Sequence, residues 1–99
     1  MNDWVYAMFI ERGKTYNKMT KAVVEQHVEN LRRLDGEGKI ELCGVFKGYP
    51  GVAGMVIIRA ESLEAADAIA KEEPLVMLGY ATYTLRQLQL ANAGNNYLM

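Results

Sequence analysis

The sequence predicts an α+β fold in which strands and helices follow one another in the order β-α-β-β-α-β. An aromatic and β-branched run near the amino terminus, two segments with helical periodicity, and a Tyr-Pro-Gly turn between two apolar runs indicate this order. Because strand-helix-strand crossovers are right-handed, both helices should cover the same face of one sheet. The sequence therefore predicts a ferredoxin-like sandwich.

The first strand is predicted at 3–11 and the first helix begins after Thr20. Both alternating sets of side chains in 3–11 are apolar, which is typical of a strand covered on two faces. Thr20 is a suitable N-cap, and the Gly-rich segment after Asp35 can end the helix. His27, the single histidine of the chain, lies within the apolar arc of this helix.

A hairpin and a second helix are predicted next. Strands at 40–47 and 52–60 flank the segment 48–51. Within this segment Pro50 and Gly51 stand at the second and third positions of a type II turn that Tyr49 begins. Ser62 caps the following helix, which Pro74 ends. Its apolar stripe includes alanines, so this helix can lie close to the sheet.

The last strand is predicted at 82–91, where mixed alternation is typical of an edge strand. Gly54, inside the third strand, indicates a bulge or a close approach of two backbones. Residues 1–91 are predicted to form one domain, and residues 92–99 form a turn-rich tail that is either loose or docked on a partner subunit.

The composition favours self-association. Hydrophobic residues make up 51% of 99 residues, including six Met and six Tyr. A sandwich with helices on one face leaves the other face of the sheet bare, and an apolar bare face is unfavourable in a monomer. We therefore predict a homodimer or higher homo-oligomer in which two sheets stack into a dimeric α+β barrel.

Charge and cysteine usage exclude several classes of function. The net charge is −1 with both signs interspersed, so no basic surface for nucleic acid is predicted. The single Cys43 excludes an internal disulfide, and one His with one Cys cannot form a zinc-type cluster; we predict no metal and no cofactor. The first residues lack a basic region and their apolar run is too short to span a bilayer, so a cytoplasmic protein without membrane association is predicted.

The helix segment around the histidine is similar to a known family. The octapeptide HVENLRRL at 27–34, followed by Gly-Lys-Ile at 38–40 and by Gly44, resembles the YCII-related family of dimeric α+β barrel proteins. In that family a helix with the pattern H-x-x-x-L-x-x-L runs into a glycine and then into a strand that ends near a second glycine.

The second half of the chain agrees with the same family. The hexapeptide ESLEAA at 61–66 matches the start of the family's second helix, and Glu73-Pro74 lies where the family has Asp-Pro. Gly79 corresponds to the glycine that follows. The resemblance extends over nearly the whole chain, to about Ala91.

The resemblance implies an active site. In the family this site is built from the helix histidine and the aspartate of Asp-Pro, which correspond to His27 and Glu73. The fold also resembles muconolactone isomerase-like and dehydrochlorinase-type enzymes, which move protons on oxidised ring-cleavage or hydroquinone substrates. Three departures are visible: Glu replaces Asp, no Arg-Pro precedes His27, and Val45 stands where proline is common.

These observations favour a small cofactor-independent lyase or isomerase. His27 would act as general base and acid, since histidine exchanges a proton at little cost near neutral pH, and Glu73 would orient it. The ligand would be a small oxidised cyclic or acidic metabolite in a cleft near His27. Arg12 and Tyr80 are candidate substrate-binding residues, and Tyr49 is a second tyrosine that could line the mouth of the cleft.

Alternatives from other classes remain open. His27 could be a structural histidine of the core, and Glu73 a solvated acid in the last turn of the second helix. Cys43, in a predicted strand, is interpreted as a small buried hydrophobic residue rather than a nucleophile. The whole chain could then be a non-catalytic small-ligand-binding or accessory dimeric domain, or a dimerisation module. The substrate is not deducible from the sequence.

Overall fold

A computed structural model describes residues 4–99. Its helices and strands are β1 (Trp4–Arg12), α1 (Lys21–Gly36), β2 (Ile40–Val45), β3 (Val52–Ile58), α2 (Leu63–Lys71), α3 (Pro74–Met77) and β4 (Ala81–Gln89). Short 3₁₀ turns occupy Tyr16–Lys18 and Ala93–Leu98. The predicted β-α-β-β-α-β order is confirmed, with the short helix α3 added before the last strand; the predicted start of β1 at Asp3 lies outside the described residues.

The four strands form one antiparallel sheet with the order β2-β3-β1-β4. This is the strand order of the predicted ferredoxin-like sandwich, which is confirmed. The apolar strand β1 is central, and the mixed strand β4 is at one edge, as its alternation indicates. Strand β2 forms the other edge, and its residues Glu41–Val45 are exposed.

The main core lies between the sheet and the helices. Strand side chains alternate between faces, so one alternating set from β1 and β3 meets the helices. Alanines of α2 let its backbone come close to this set. The buried residues of this core are Tyr6, Met8, Ile10, Val23, Val56, Ile58, Ala66, Ala70, Leu75 and Ala81.

The opposite face of the sheet is less uniformly apolar than the sequence analysis expects. Val5, Ala7 and Ile57 are buried there and form a second, smaller cluster. Strand β4, however, pairs the polar residue Arg86 with Ala7 and the polar residue Thr84 with Phe9. The open face is therefore an apolar patch with a polar margin, because β4 alternates only partly.

Two helix starts follow their predicted capping residues. The Thr20 hydroxyl accepts a hydrogen bond from the Val23 N–H at 3.3 Å, and the Ser62 hydroxyl accepts one from the Ala65 N–H at 3.1 Å. These bonds satisfy backbone donors that have no partner inside the helix. Within residues 4–99, no helix combines the length and apolar character that a membrane crossing requires.

The hairpin between β2 and β3 has the predicted turn. The Val52 N–H donates to the Tyr49 carbonyl at 3.3 Å, and Gly51 has φ +79°, as the third position of a type II turn requires. Gly54 makes the predicted close approach, since a Cβ there would overlap the Gly44 carbonyl oxygen and lie 3.2 Å from the Val45 Cα. No larger residue fits at Gly54 without moving β2.

Helix α2 is joined to β4 by a tyrosine–carboxylate hydrogen bond. The Tyr83 hydroxyl donates to Asp67, whose carboxylate also lies 3.0 Å from Lys71 Nζ. The bond to Asp67, helped by burial, raises the pKa of Tyr83 to about 12. The same hydroxyl, followed by Lys71, lowers the pKa of Asp67. The folded state thus prefers the neutral phenol beside the charged carboxylate.

This pair predicts an alkaline transition of one tyrosine. Because the pKa of Tyr83 is higher in the folded than in the unfolded chain, its stabilising effect is complete below pH ~10 and is lost as the pH rises through ~12. In an ultraviolet titration we expect one phenol to ionise later than the others. Tyr83→Phe should remove this late step and Asp67→Ala should move it to lower pH. An unchanged curve in both variants would contradict the assignment.

Candidate active site

His27 projects from the second turn of α1 towards α3 and the end of the hairpin. Its side chain is 21% exposed, so one part of the ring is accessible while the rest is packed. Its Nδ1 is hydrogen-bonded to Oε1 of Glu73, a residue 46 positions later in the chain. The structure therefore brings together the two residues that the family resemblance paired.

Glu73 does not lie in α2, although the sequence predicts that this helix continues to Pro74. Helix α2 ends at Lys71, and Glu73 has an extended backbone (φ −61°, ψ 124°) because the following Pro74 disfavours the helical conformation. Pro74 opens α3 at its first position, which makes Glu73 the N-cap. The alternative of a solvated last-turn acid is wrong, since Glu73 is 2% exposed.

Two hydrogen bonds satisfy the buried carboxylate. Oε1 contacts His27, and Oε2 accepts the Leu75 N–H at 2.7 Å in the first turn of α3. A negative group at a helix N-terminus is favourable, in contrast to the helix C-terminus that the sequence analysis assumed. Glu73 thus links helix α1 to the backbone of α3.

These contacts determine where the proton of the imidazole lies. An ionised carboxylate can only accept hydrogen bonds, so His27 Nδ1 carries the proton and donates it to Glu73. In the neutral imidazole Nε2 is then the unprotonated nitrogen, and within residues 4–99 it has no hydrogen-bond partner. A histidine in this tautomer can accept a proton at Nε2.

A cavity of about 110 Å³ lies beside His27, between α1, the 3₁₀ turn after β1 and the β2–β3 hairpin. Its inner wall is apolar and buried, and its outer rim on β2 is exposed. For comparison, a cavity of ~150 Å³ holds a benzene ring. The lining residues are Ile10, Tyr16, His27, Leu31, Cys43, Gly44, Val45, Ala53, Gly54, Met55, Val56 and Leu75.

The two predicted substrate-binding residues lie next to this cavity rather than in its lining. Arg12 is exposed at the end of β1, with its guanidinium carbon 5.5 Å from the centre of the Tyr16 ring. Tyr80 packs at the edge of the core, and its backbone N–H donates to the Leu75 carbonyl at 2.9 Å. Their roles in binding stay predictions.

Two other residues are placed differently from their predictions. Cys43 is exposed and lines the cavity, because β2 is an edge strand; its interpretation as a buried hydrophobic residue is wrong. Tyr49 borders a separate cleft on the open face of the sheet, together with Phe9 and Arg86. It does not reach the cavity beside His27.

Sequence reasoning missed Tyr16 as a residue of the site. It lies in the polar segment between β1 and α1, where the 3₁₀ turn at Tyr16–Lys18 directs its ring to the cavity. An aromatic residue in an otherwise polar turn was the available signal. Within residues 4–99, no three His, Cys, Asp or Glu side chains are close enough to hold a metal ion together.

Comparison with known proteins places this chain in a family. The profile of the YCII-related domain matches residues 5–89. The uncharacterized protein YjpA of Bacillus subtilis (strain 168) is 32% identical over 87 residues, which cover 88% of this chain and 96% of that protein.

A solved structure shares the fold. It is 5-chloro-2-hydroxyhydroquinone dehydrochlorinase (TftG) from Burkholderia phenoliruptrix AC1100, in complex with 2,5-dihydroxybenzoquinone. The TM-score is 0.61 at 13% identity, with 93% of this chain and 98% of that chain covered. The predicted resemblance is thereby confirmed by a match over most of the chain, and the protein belongs to the YCII-related family.

Proposed function

We propose that the protein is a small cofactor-independent lyase or isomerase that transfers a proton on an oxidised cyclic or acidic metabolite. The observation that carries the proposal is the hydrogen bond from His27 Nδ1 to the buried Glu73 carboxylate, beside a largely apolar cavity of about 110 Å³. A histidine held by a carboxylate in this way has one fixed nitrogen and one available for chemistry.

The proposed reaction begins with proton abstraction. Nε2 of His27 takes a proton from a carbon beside a carbonyl, and the electrons of that C–H bond move into an enolate. The Glu73 carboxylate stabilises the imidazolium that forms. The enolate then either takes the proton back at another carbon, which is isomerisation, or expels a leaving group with its bonding electrons, which is elimination. In isomerisation the imidazolium returns its proton to the substrate carbon, and in elimination it gives the proton to the departing group or to water, so the imidazole ends in its neutral form.

The lining of the cavity is apolar on most sides, which supports a ring-shaped ligand of low polarity. Ile10, Val56 and Leu75 form a buried apolar wall that excludes water from one side of the reacting atoms. The solved structure of the same fold is named for removing chlorine from a hydroxyhydroquinone and contains a dihydroxybenzoquinone. We therefore place oxidised or halogenated hydroxylated rings first among substrates, with Arg12 and Tyr80 as proposed binding residues at the edge.

A substrate screen tests this function. Ring-cleavage lactones and chlorinated hydroquinones are offered to the parent protein, to His27→Gln and to the control Gln26→Ala, which alters an exposed neighbour on α1. We expect turnover by the parent and control and a loss of ~10²-fold or more in His27→Gln, since general acid-base catalysis contributes this much. Turnover retained in His27→Gln would overturn the proposal. Binding without turnover in any protein would favour the non-catalytic ligand-binding domain instead.

We propose in addition that two copies stack through the open faces of their sheets. The buried cluster of Val5, Ala7 and Ile57, with Phe9 and Met55 partly exposed beside it, supports this arrangement. Light scattering should give twice the 11.1 kDa mass of one chain, and Phe9→Glu should lower it. A parent protein that is monomeric at micromolar concentration would contradict the stacked dimer.

A further inference from the structure

Tyr16 differs from the other lining residues of the cavity. It is half-buried, packs against the helix-side core and lines the cavity together with His27. Within residues 4–99, its hydroxyl has no hydrogen-bond partner. Apart from His27 and Cys43, the remaining lining side chains are aliphatic or absent, so Tyr16 contributes the only hydroxyl among the described lining residues.

Arg12 adds a positive charge to this position. Its guanidinium lies over the ring of Tyr16 at 5.5 Å, a cation–π distance. Among the described residues no carboxylate lies within 4.0 Å of Arg12, and its one hydrogen bond is long, 3.4 Å to the Tyr49 carbonyl. The charge is therefore not neutralised locally by an ion pair. A cation beside a hydroxyl donor stabilises negative charge on the oxygen that the hydroxyl contacts.

We propose that Tyr16 donates a hydrogen bond to an anionic oxygen of the ligand, a ring enolate or phenolate, and that Arg12 supplies the accompanying positive charge. This inference rests on the proposed function for the location of the ligand and narrows its class to planar rings with an ionised oxygen. A ligand oxygen that entered this apolar cavity without a donor would lose the hydrogen bonds that it makes to water. Tyr16 is the residue of the described lining that can provide this hydroxyl donor.

The geometry favours Tyr16 over Tyr80 for this role. Tyr80 is absent from the lining of the cavity. Its backbone N–H donates to the Leu75 carbonyl in α3, and its carbonyl accepts the N–H of Gly13, which follows β1. Tyr16 borders the same space as the imidazole. A single ligand can therefore contact the proposed base and the hydroxyl of Tyr16 at once.

A binding titration separates these roles. The probe is 2,5-dihydroxybenzoquinone, whose acidic hydroxyls ionise in neutral water and whose absorbance reports binding; hydroquinone is its neutral counterpart. We expect Tyr16→Phe to raise the dissociation constant of the anionic probe about tenfold to a hundredfold, which is the effect of losing a hydrogen bond to a charged group. The control Tyr49→Phe, which removes a tyrosine hydroxyl outside the cavity, should stay within about twofold. Arg12→Gln should weaken binding and reduce its dependence on salt, because the attraction it removes is electrostatic.

Each other outcome overturns the inference in a recognisable way. Loss of binding in Tyr80→Phe with none in Tyr16→Phe would return the role to Tyr80. Equal affinity of the parent for the anionic probe and hydroquinone, or no binding of either, would exclude an anion-selective site. Turnover that depends on His27 but not on Tyr16 would refute this inference and leave the proposed function standing. Binding that depends on Tyr16 without any turnover would refute the proposed function and leave this inference standing.

Discussion

Glu73→Gln is expected to lower turnover by ~10³–10⁴-fold while the protein stays folded. The size of the effect follows from the tautomer of His27 rather than from lost contacts, since a carboxylate-to-amide change that leaves a catalytic histidine in the wrong tautomer costs ~10⁴ in rate. Shape and size are almost unchanged by the substitution. The loss should appear in the rate constant for turnover more than in substrate affinity.

The Leu75 N–H decides the direction of the tautomer change. It donates to one carboxylate oxygen of Glu73, so the Gln amide must turn its own oxygen towards Leu75 and its NH₂ group towards His27. The imidazole Nδ1 then has to accept, and the proton moves to Nε2. The nitrogen that faces the substrate becomes a donor and cannot act as a base.

Nitrogen NMR of the imidazole measures this directly, because His27 is the only histidine in the chain. The parent should show a protonated Nδ1 in its neutral form, and Glu73→Gln a protonated Nε2. The matched control is Glu72→Gln, which changes an exposed glutamate one position earlier and should alter neither the spectrum nor the rate. A proton that stays on Nδ1 in Glu73→Gln, or an unchanged rate, would contradict the assignment.

Local signals in the sequence predict most of the fold. The caps at Thr20 and Ser62 and the turn at 48–51 depend on side chains within a few residues, so they are readable without tertiary information. Pro74 is different, since proline both ends helices and starts them. In the structure Pro74 starts α3, and this moves Glu73 from a helix C-terminus to an N-cap.

The site is predictable only in part for the same reason. His27 stands out because a polar ring interrupts the apolar arc of α1, a pattern visible in the sequence. Its bond to Glu73 spans 46 positions and arises from the packing of α1 beside α3, which no periodicity encodes. The exposure of Cys43 and the direction of the Tyr16 ring are not readable from local patterns. They depend on strand order and on a 3₁₀ turn, which are properties of the folded chain.

Breaking the His27–Glu73 pair should also cost stability, by about 3 kcal/mol for each single truncation to alanine. In the parent the Glu73 residue is 2% exposed, and His27→Ala removes one of the two hydrogen-bond donors of its carboxylate. Removing a hydrogen-bond donor from a buried charged group costs ~1–3 kcal/mol or more, because the charge is left without compensation. In Glu73→Ala the Leu75 N–H loses its cap as well, and cap losses alone cost ~0.5–2 kcal/mol.

The double variant distinguishes a specific pair from two independent losses. With both side chains gone no buried charge remains, so His27→Ala/Glu73→Ala should be more stable than the sum of the single effects by about 2 kcal/mol. Urea unfolding at neutral pH gives the four free energies of unfolding, provided that the slopes agree. As a control, Arg32→Ala and Glu29→Ala form the same cycle on an exposed pair of α1, where the coupling should stay below ~0.5 kcal/mol. Strict additivity at His27 and Glu73 would mean that the carboxylate is held by the N-terminus of α3 alone, and the imidazole would then lack the partner on which its proposed chemistry depends.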